Sequence, residues 1–176
     1  MTDHSQWCYA HFLRPALRVL DSYHIAANDV LTGCGLNDSI LHRPYQLISH
    51  EQLAQFYINI QRLELSPSLG LEIGQGTGVT DKSAVGHAQL AAQTLRHIMV
   101  LGQKYMPMFM PLVKWDINIK RNIVLVNYSA DVPLTALQNN PDTNPNELKS
   151  FLVDIILRMH ISQAKLAYTL IAPKCL

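Results

Sequence analysis

The chain has 176 residues, of which 48% are apolar and 15% charged, with a net charge of +1. One ordinary core fits that length, disorder is disfavoured, and charge lies well below the roughly 25% of an average soluble domain. A strongly electropositive nucleic-acid surface is excluded, and so much apolar material with so little charge predicts surface hidden against something else.

Phe12, Ala16, Val19, Leu20 and Tyr23 recur at helical spacing, which predicts a first helix over Phe12–Ile25. Asn28 reads as the cap of a short second helix through Cys34, stopped by Gly33 and Gly35. Ser39–Ile48 looks irregular, with Pro44 inside it. Ser49-His50-Glu51-Gln52 then matches a capping box, opening a helix whose apolar face is Leu53, Phe56, Tyr57, Ile60 and Leu63.

Ser66-Pro67 predicts another short helix through Ile73, followed by a glycine-rich loop at Gly74-Gln75-Gly76-Thr77-Gly78. Thr94 caps a longer helix that reaches about Tyr105 and is stopped by Pro107. The period then falls from 3.6 to 2. Val113, Trp115, Ile117 and Ile119 alternate with polar residues, a turn follows at Lys120-Arg121-Asn122, and Ile123–Ala130 returns as the second strand of an antiparallel hairpin.

Asp131–Pro145 reads as a loop. Asn144-Pro145-Asn146-Glu147 starts a last helix, Asn146–Ile171, with an apolar side of Phe151, Leu152, Ile155, Ile156, Met159 and Leu166. The fold class is α+β, mostly helical with one hairpin. Two strands do not make an independent sheet, so the hairpin must meet another strand or pack on helices.

Chemistry is sparse. Gly74-x-Gly76-x-Gly78 lacks the spacing, the preceding strand and the lysine of nucleotide-binding loops. Eight histidines are scattered without the i, i+4 pairing of a helical zinc site. Cys8, Cys34 and Cys175 form neither a disulfide framework nor a metal motif, and Cys34 near His24 or His42 reads as a small buried thiol rather than a nucleophile. No acid, base and nucleophile converge, so the expectation is a non-enzyme without metal or cofactor. Neither a signal peptide nor a membrane span is visible, which points to the cytoplasm.

The basic residues of the C-terminal half never form a run and read as a solvated face. Met106-Pro107-Met108-Phe109-Met110-Pro111 reads first as gap-filling core or a hinge between helix and strand, and second as adaptable lining of a binding cavity. Trp115 and Tyr128 face each other on the hairpin, where either packs into the core or walls a ligand cavity.

Several segments, in order and spacing, resemble the N-terminal effector domain of one branch of the AraC-type bacterial transcription regulators. They are Leu31-Thr32-Gly33-Cys34-Gly35-Leu36, Arg43-Pro44, Ile48-Ser49, Glu51-Gln52-Leu53 and Phe56-Tyr57, then Pro67–Gly74, Val85-Gly86-His87-Ala88, Thr94-Leu95 and Gln103-Lys104-Tyr105. The pattern departs at His87, Ala92-Gln93 and Ile98, so effector preference does not carry over from relatives.

The resemblance implies a ligand-sensing and dimerisation domain that controls a C-terminal pair of helix-turn-helix units. It also implies a sensor domain truncated at its C-terminus, with DNA reached only through that further module. Candidate effector contacts are His87, Tyr105, Trp115 and Tyr128; the candidate dimer face is Phe151, Ile155, Met159 and Leu166. A homodimerising module without a ligand and a small enzyme of unrecognised type stay open as alternatives.

Overall fold

The computed structural model describes residues 7–171 apart from residues 44, 79, 80, 82, 93, 109, 121 and 122. The last five residues, including Cys175, and the hairpin turn at Arg121-Asn122 therefore lie outside the described residues, as does Pro44. The fold is α+β. Its elements are β1 (Trp7–Tyr9), α1 (Arg14–Ser22), α2 (Ala27–Leu31), β2 (Leu47–Ser49), α3 (His50–Gln61), α4 (Leu69–Gly76), α5 (Ser83–Leu90), α6 (Leu95–Tyr105), β3 (Val113–Lys120), β4 (Ile123–Ala130), α7 (Leu134–Gln138) and α8 (Pro145–Ile171).

The predicted first helix splits. A 3-10 turn over Ala10–Leu13 precedes α1, which starts beside Pro15, whose fixed φ suits a first turn. It ends before His24, held at φ 60°. Asn28 is not a cap: Ala26 takes that position, its N–H donates to the Asp29 carboxylate at 3.2 Å, and Asn28 Nδ2 donates to Asp38 instead. α2 stops at Leu31, short of Cys34, because the chain then turns through Gly33 and Gly35 at φ 78° and 66°, a region that favours glycine.

The segment expected to be irregular holds a 3-10 turn (Asp38–His42) and β2, which pairs antiparallel with β1 through Cys8↔Ile48. The capping box at Ser49 is present in full: Gln52 N–H donates to Ser49 Oγ at 3.2 Å, and Ser49 N–H donates to Gln52 Oε1 at 3.0 Å. Thr94 caps α6 through the His97 N–H, and Asn144 caps α8, accepting from Asn146 N–H at 3.0 Å and donating to Glu147.

Three readings are corrected. The helix expected at Ser66 begins at Leu69. Gly74 and Gly76 lie inside that helix, α4, rather than in a loop. A short helix, α7, interrupts the Asp131–Pro145 loop. In addition, α5 has no counterpart among the predicted elements.

The glycines are helical because α4 lies backbone to backbone on α8. A Cβ on Gly70 would meet the Phe151 carbonyl oxygen at 2.9 Å, and one on Gly74 would overlap the Ile155 carbonyl oxygen. Arg158 then donates to Gln75 at 2.8 Å across the same seam.

α8 is the spine of the fold, touching α3, α4, α6 and both hairpin strands. The core holds Leu13, Leu53, Phe56, Tyr57, Ile58, Ile60, Ile73 and Leu112 with Leu148, Leu152, Ile155 and Ile156. Met110 joins it while Met108 is 46% exposed. A polar ladder crosses the helices: Asn140 Nδ2 donates to Gln55, Gln55 donates to Asn59, and Asn59 Nδ2 donates to the Val30 and Thr32 carbonyls.

Tyr23, at the C-cap of α1, donates to Glu72 Oε2 at 2.7 Å, and Ser68 Oγ donates to Oε1 at 2.7 Å. These bonds, Ser68 first, hold the Glu72 carboxyl below its ordinary value of 4.5. A depressed carboxyl contributes stability above its unfolded value and loses it as pH falls through the folded one. In acid titrations followed by circular dichroism, Glu72→Gln should therefore narrow its stability deficit against the parent as pH drops below about 4.5.

Candidate functional site

The hairpin register places Trp115 opposite Tyr128, on one face with Val113, Ile117 and Val126. That face packs on α6 and α8, which answers the need of two strands for a partner layer. The other face carries Ile123 and Leu125, 62% and 48% exposed. The hairpin pairs with no third strand among the described residues.

A third ring completes the pair. His160 of α8 stacks on Trp115 with centroids 3.8 Å apart and planes 3° from parallel. Its Nδ1 shares a 2.9 Å hydrogen bond with Tyr128 Oη. Burial pushes the Tyr128 hydroxyl up to about 12, so it stays protonated at neutral pH. On its far edge, the indole leaves no room at Gly102 of α6, where a Cβ would stand 2.8 Å from Trp115 Cζ2 and Cη2. Gln89 of α5 reaches the same point and donates from Nε2 to the Ile98 carbonyl at 3.2 Å. Four elements thus converge on one tryptophan.

Of the predicted effector contacts, Trp115 and Tyr128 come together. His87 stands on an exposed part of α5, and Tyr105 is half-buried at the end of α6 with Lys104 Nζ 5.3 Å from its ring centre. His160 and Gln89 were not predicted; the signal for His160 was a polar residue set in the apolar side of the last helix, directly after Met159.

The four residues of the expected dimer face differ in exposure. Ile155 and Met159 are 2% and 4% exposed and Phe151 is half-buried, all packed within this chain, chiefly where α8 meets α3, α4 and the hairpin. Only Leu166 of the four is open, at 40%. Ile155 and Met159 serve the intramolecular core, while Leu166 stays open.

Cys34 is a buried thiol with its Sγ 3.4 Å from the Val30 carbonyl oxygen and 3.5 Å from Asn59 Nδ2. Burial pushes it up to about 11 and Cys8 up to about 12, so neither supplies a thiolate at neutral pH. Among the described residues no three His, Cys, Asp or Glu side chains group to hold a metal, and no helix is long and apolar enough to cross a membrane.

What the convergence presents is aromatic surface with hydrogen-bonding groups at its edges. The family model described as the arabinose-binding domain of AraC transcription regulators, N-terminal, matches residues 25–169. No curated protein and no solved structure gives a match.

Proposed function

Because the chain belongs to the family of N-terminal arabinose-binding domains of AraC transcription regulators, we propose that it senses a small effector and passes its occupancy to a DNA-binding module. The family is one of regulator domains, not of enzymes. The match across residues 25–169 carries the reading. The Trp115–Tyr128–His160 convergence supports it by giving an effector a place to act.

An effector switches such a domain only if it binds two states unequally. The convergence suits that requirement, because α5, α6, the hairpin and α8 all meet at Trp115, and a molecule wedged there changes how they fit. The domain pairs with a second copy in this reading. Leu157 and Ile161, one turn apart on α8 and 38% and 40% exposed, are with Leu166 the large apolar residues that helix leaves open for a partner among the described residues. The setting is the bacterial cytoplasm, with DNA reached through a further module.

The test uses tryptophan emission. The sequence has two tryptophans, and Trp7 is 44% exposed. In a Trp7→Phe variant, Trp115 reports alone. Titration with small metabolites, beginning with L-arabinose for the family's description, should give a saturable emission change and shift the monomer–dimer equilibrium in sedimentation. A dimer whose emission and melting temperature ignore every metabolite would overturn effector sensing.

A further inference from the structure

The two long edges of the hairpin are built differently. β3 carries Lys114, Asp116 and Lys120, while β4, Ile123–Ala130, holds no charge and no proline. Charge and proline are the usual guards of a strand edge that faces water, and β4 has neither.

That edge is open among the described residues. Asp131 N–H donates to the Leu112 carbonyl oxygen at 2.8 Å, continuing the ladder, and with the register this fixes which residues bond across the hairpin. On β4 they are Ile123, Leu125, Asn127 and Ser129. The backbone groups of Val124, Val126, Tyr128 and Ala130 therefore point away from β3, and no third strand meets them among the described residues. Burial agrees. Tyr128 and Ala130 are half-buried, whereas Trp115 and Val113 opposite them are buried, so β4 is the rim of the hairpin.

A row of alternating donors and acceptors is satisfied by another extended strand. Charge makes a second β4 the fitting one. Two-fold pairing sets a strand against itself, so its charges would meet their own copies, and β4 has none to repel. The resulting order, β3-β4-β4-β3, ends on the charged strand at both sides. The neighbouring surface is apolar as well. α6 packs on β3 and α8 chiefly on β4. Leu157 and Ile161 stand about 60° and 100° round α8 from His160, on its exposed side, so a strand added to β4 comes down beside them.

We propose that β4 pairs antiparallel with β4 of a second copy, with Leu125 at the two-fold axis. This rests on the self-pairing read above and not on effector sensing. Full overlap would set Ile123 against Ala130, whose side chain points to the opposite face, so the strands slip. Centring Leu125 gathers the exposed Ile123 and Leu125 of both copies into one cluster on the outer face.

Cysteine cross-linking and sedimentation of the full chain test the pairing. The axial pair is not hydrogen-bonded, with Cα atoms about 4.5 Å apart, inside disulfide range. The background is Cys175→Ser, with Cys8 and Cys34 buried. In it, Leu125→Cys should give a covalent dimer on oxidation with copper–phenanthroline. Asn127→Cys, about 14 Å from its copy, should not. Leu125→Lys puts like charges at the axis on a side chain already 48% exposed. It should keep the circular dichroism of the parent while the dimer dissociation constant rises about tenfold or more.

A parent dimer unchanged by Leu125→Lys, or one that cross-links through Asn127→Cys and not Leu125→Cys, would overturn this interface while leaving self-pairing through another surface. A parent that sediments as a monomer at every concentration would overturn both.

Discussion

Gly74→Ala is expected to destabilise the fold by about 3 kcal/mol, toward the upper end of what overpacking costs, despite a helix-propensity gain of about 1 kcal/mol. The reason is what the new methyl group meets. On Gly74 it overlaps the Ile155 carbonyl oxygen and stands 3.0 Å from Arg158 Cβ, and backbone cannot swing aside as a side chain can. α4 and α8 must separate, opening the seam lined by Ile73, Leu152 and Ile155.

The neighbouring glycines provide a graded series. A Cβ on Gly70 stands 2.9 Å from the Phe151 carbonyl oxygen, so Gly70→Ala should cost less than Gly74→Ala but remain harmful. On Gly76 the nearest atom is Val19 Cγ2 at 3.3 Å, the end of a side chain on another helix, so Gly76→Ala should be close to neutral. Urea denaturation of the three variants should rank them in that order. Equal effects would mean that the α4–α8 seam does not set the requirement for glycine.

Trp115→Ala is the second large effect, expected to cost about 3–5 kcal/mol, the usual range for removing a buried aromatic. It removes the ring that His160 stacks on and that α6 approaches at Gly102. Trp115→Phe separates packing from chemistry. It retains an aromatic ring and deletes the orphaned N–H, so its loss should be clearly smaller. Gly102→Ala attacks the same contact from the helix side and should lower the melting temperature, because the indole is held by His160 and has little freedom to retreat. A Trp115→Ala protein as stable as the parent would show that the convergence is loosely packed.

Much of the architecture was legible where the sequence repeats a simple physical signal. The hairpin follows from strict alternation over Val113–Lys120 and a β-rich return, and its register puts Trp115 opposite Tyr128 as expected. Ser49-x-x-Gln52 and Asn144-Pro145 mark helix starts because the side chains satisfy backbone donors locally. The misses have a common cause: the signal was too short, or was overruled by distant contacts. β1 and β2 have three residues each, too few to display a period. Glycines at 74 and 76 argue for a loop by propensity, yet a helix forms because Gly74 must admit the backbone of α8, more than 70 residues further along the chain.

The site was legible by half for the same reason. Trp115 and Tyr128 are neighbours through the hairpin, whereas His160 and Gln89 reach them only through helix packing. A helical stripe of Phe151, Ile155 and Met159 also looks alike whether its partner is another molecule or the same chain. Here the chain itself covers it.

The seam between α4 and α8 also has a mechanical meaning. α8 runs 27 residues without a break, a rod of roughly 40 Å at 1.5 Å per residue. Where Gly74 lets the two backbones touch, the rod has a fulcrum near Ile155, little more than one turn before His160. A push on that imidazole from the hairpin side acts on a short arm, and the remaining two to three turns beyond it form the longer one. A rigid α8 pivoting there would carry a displacement at the aromatic stack, enlarged, toward its C-terminal end, and side-chain bulk at position 74 would move the pivot as well as weaken the joint.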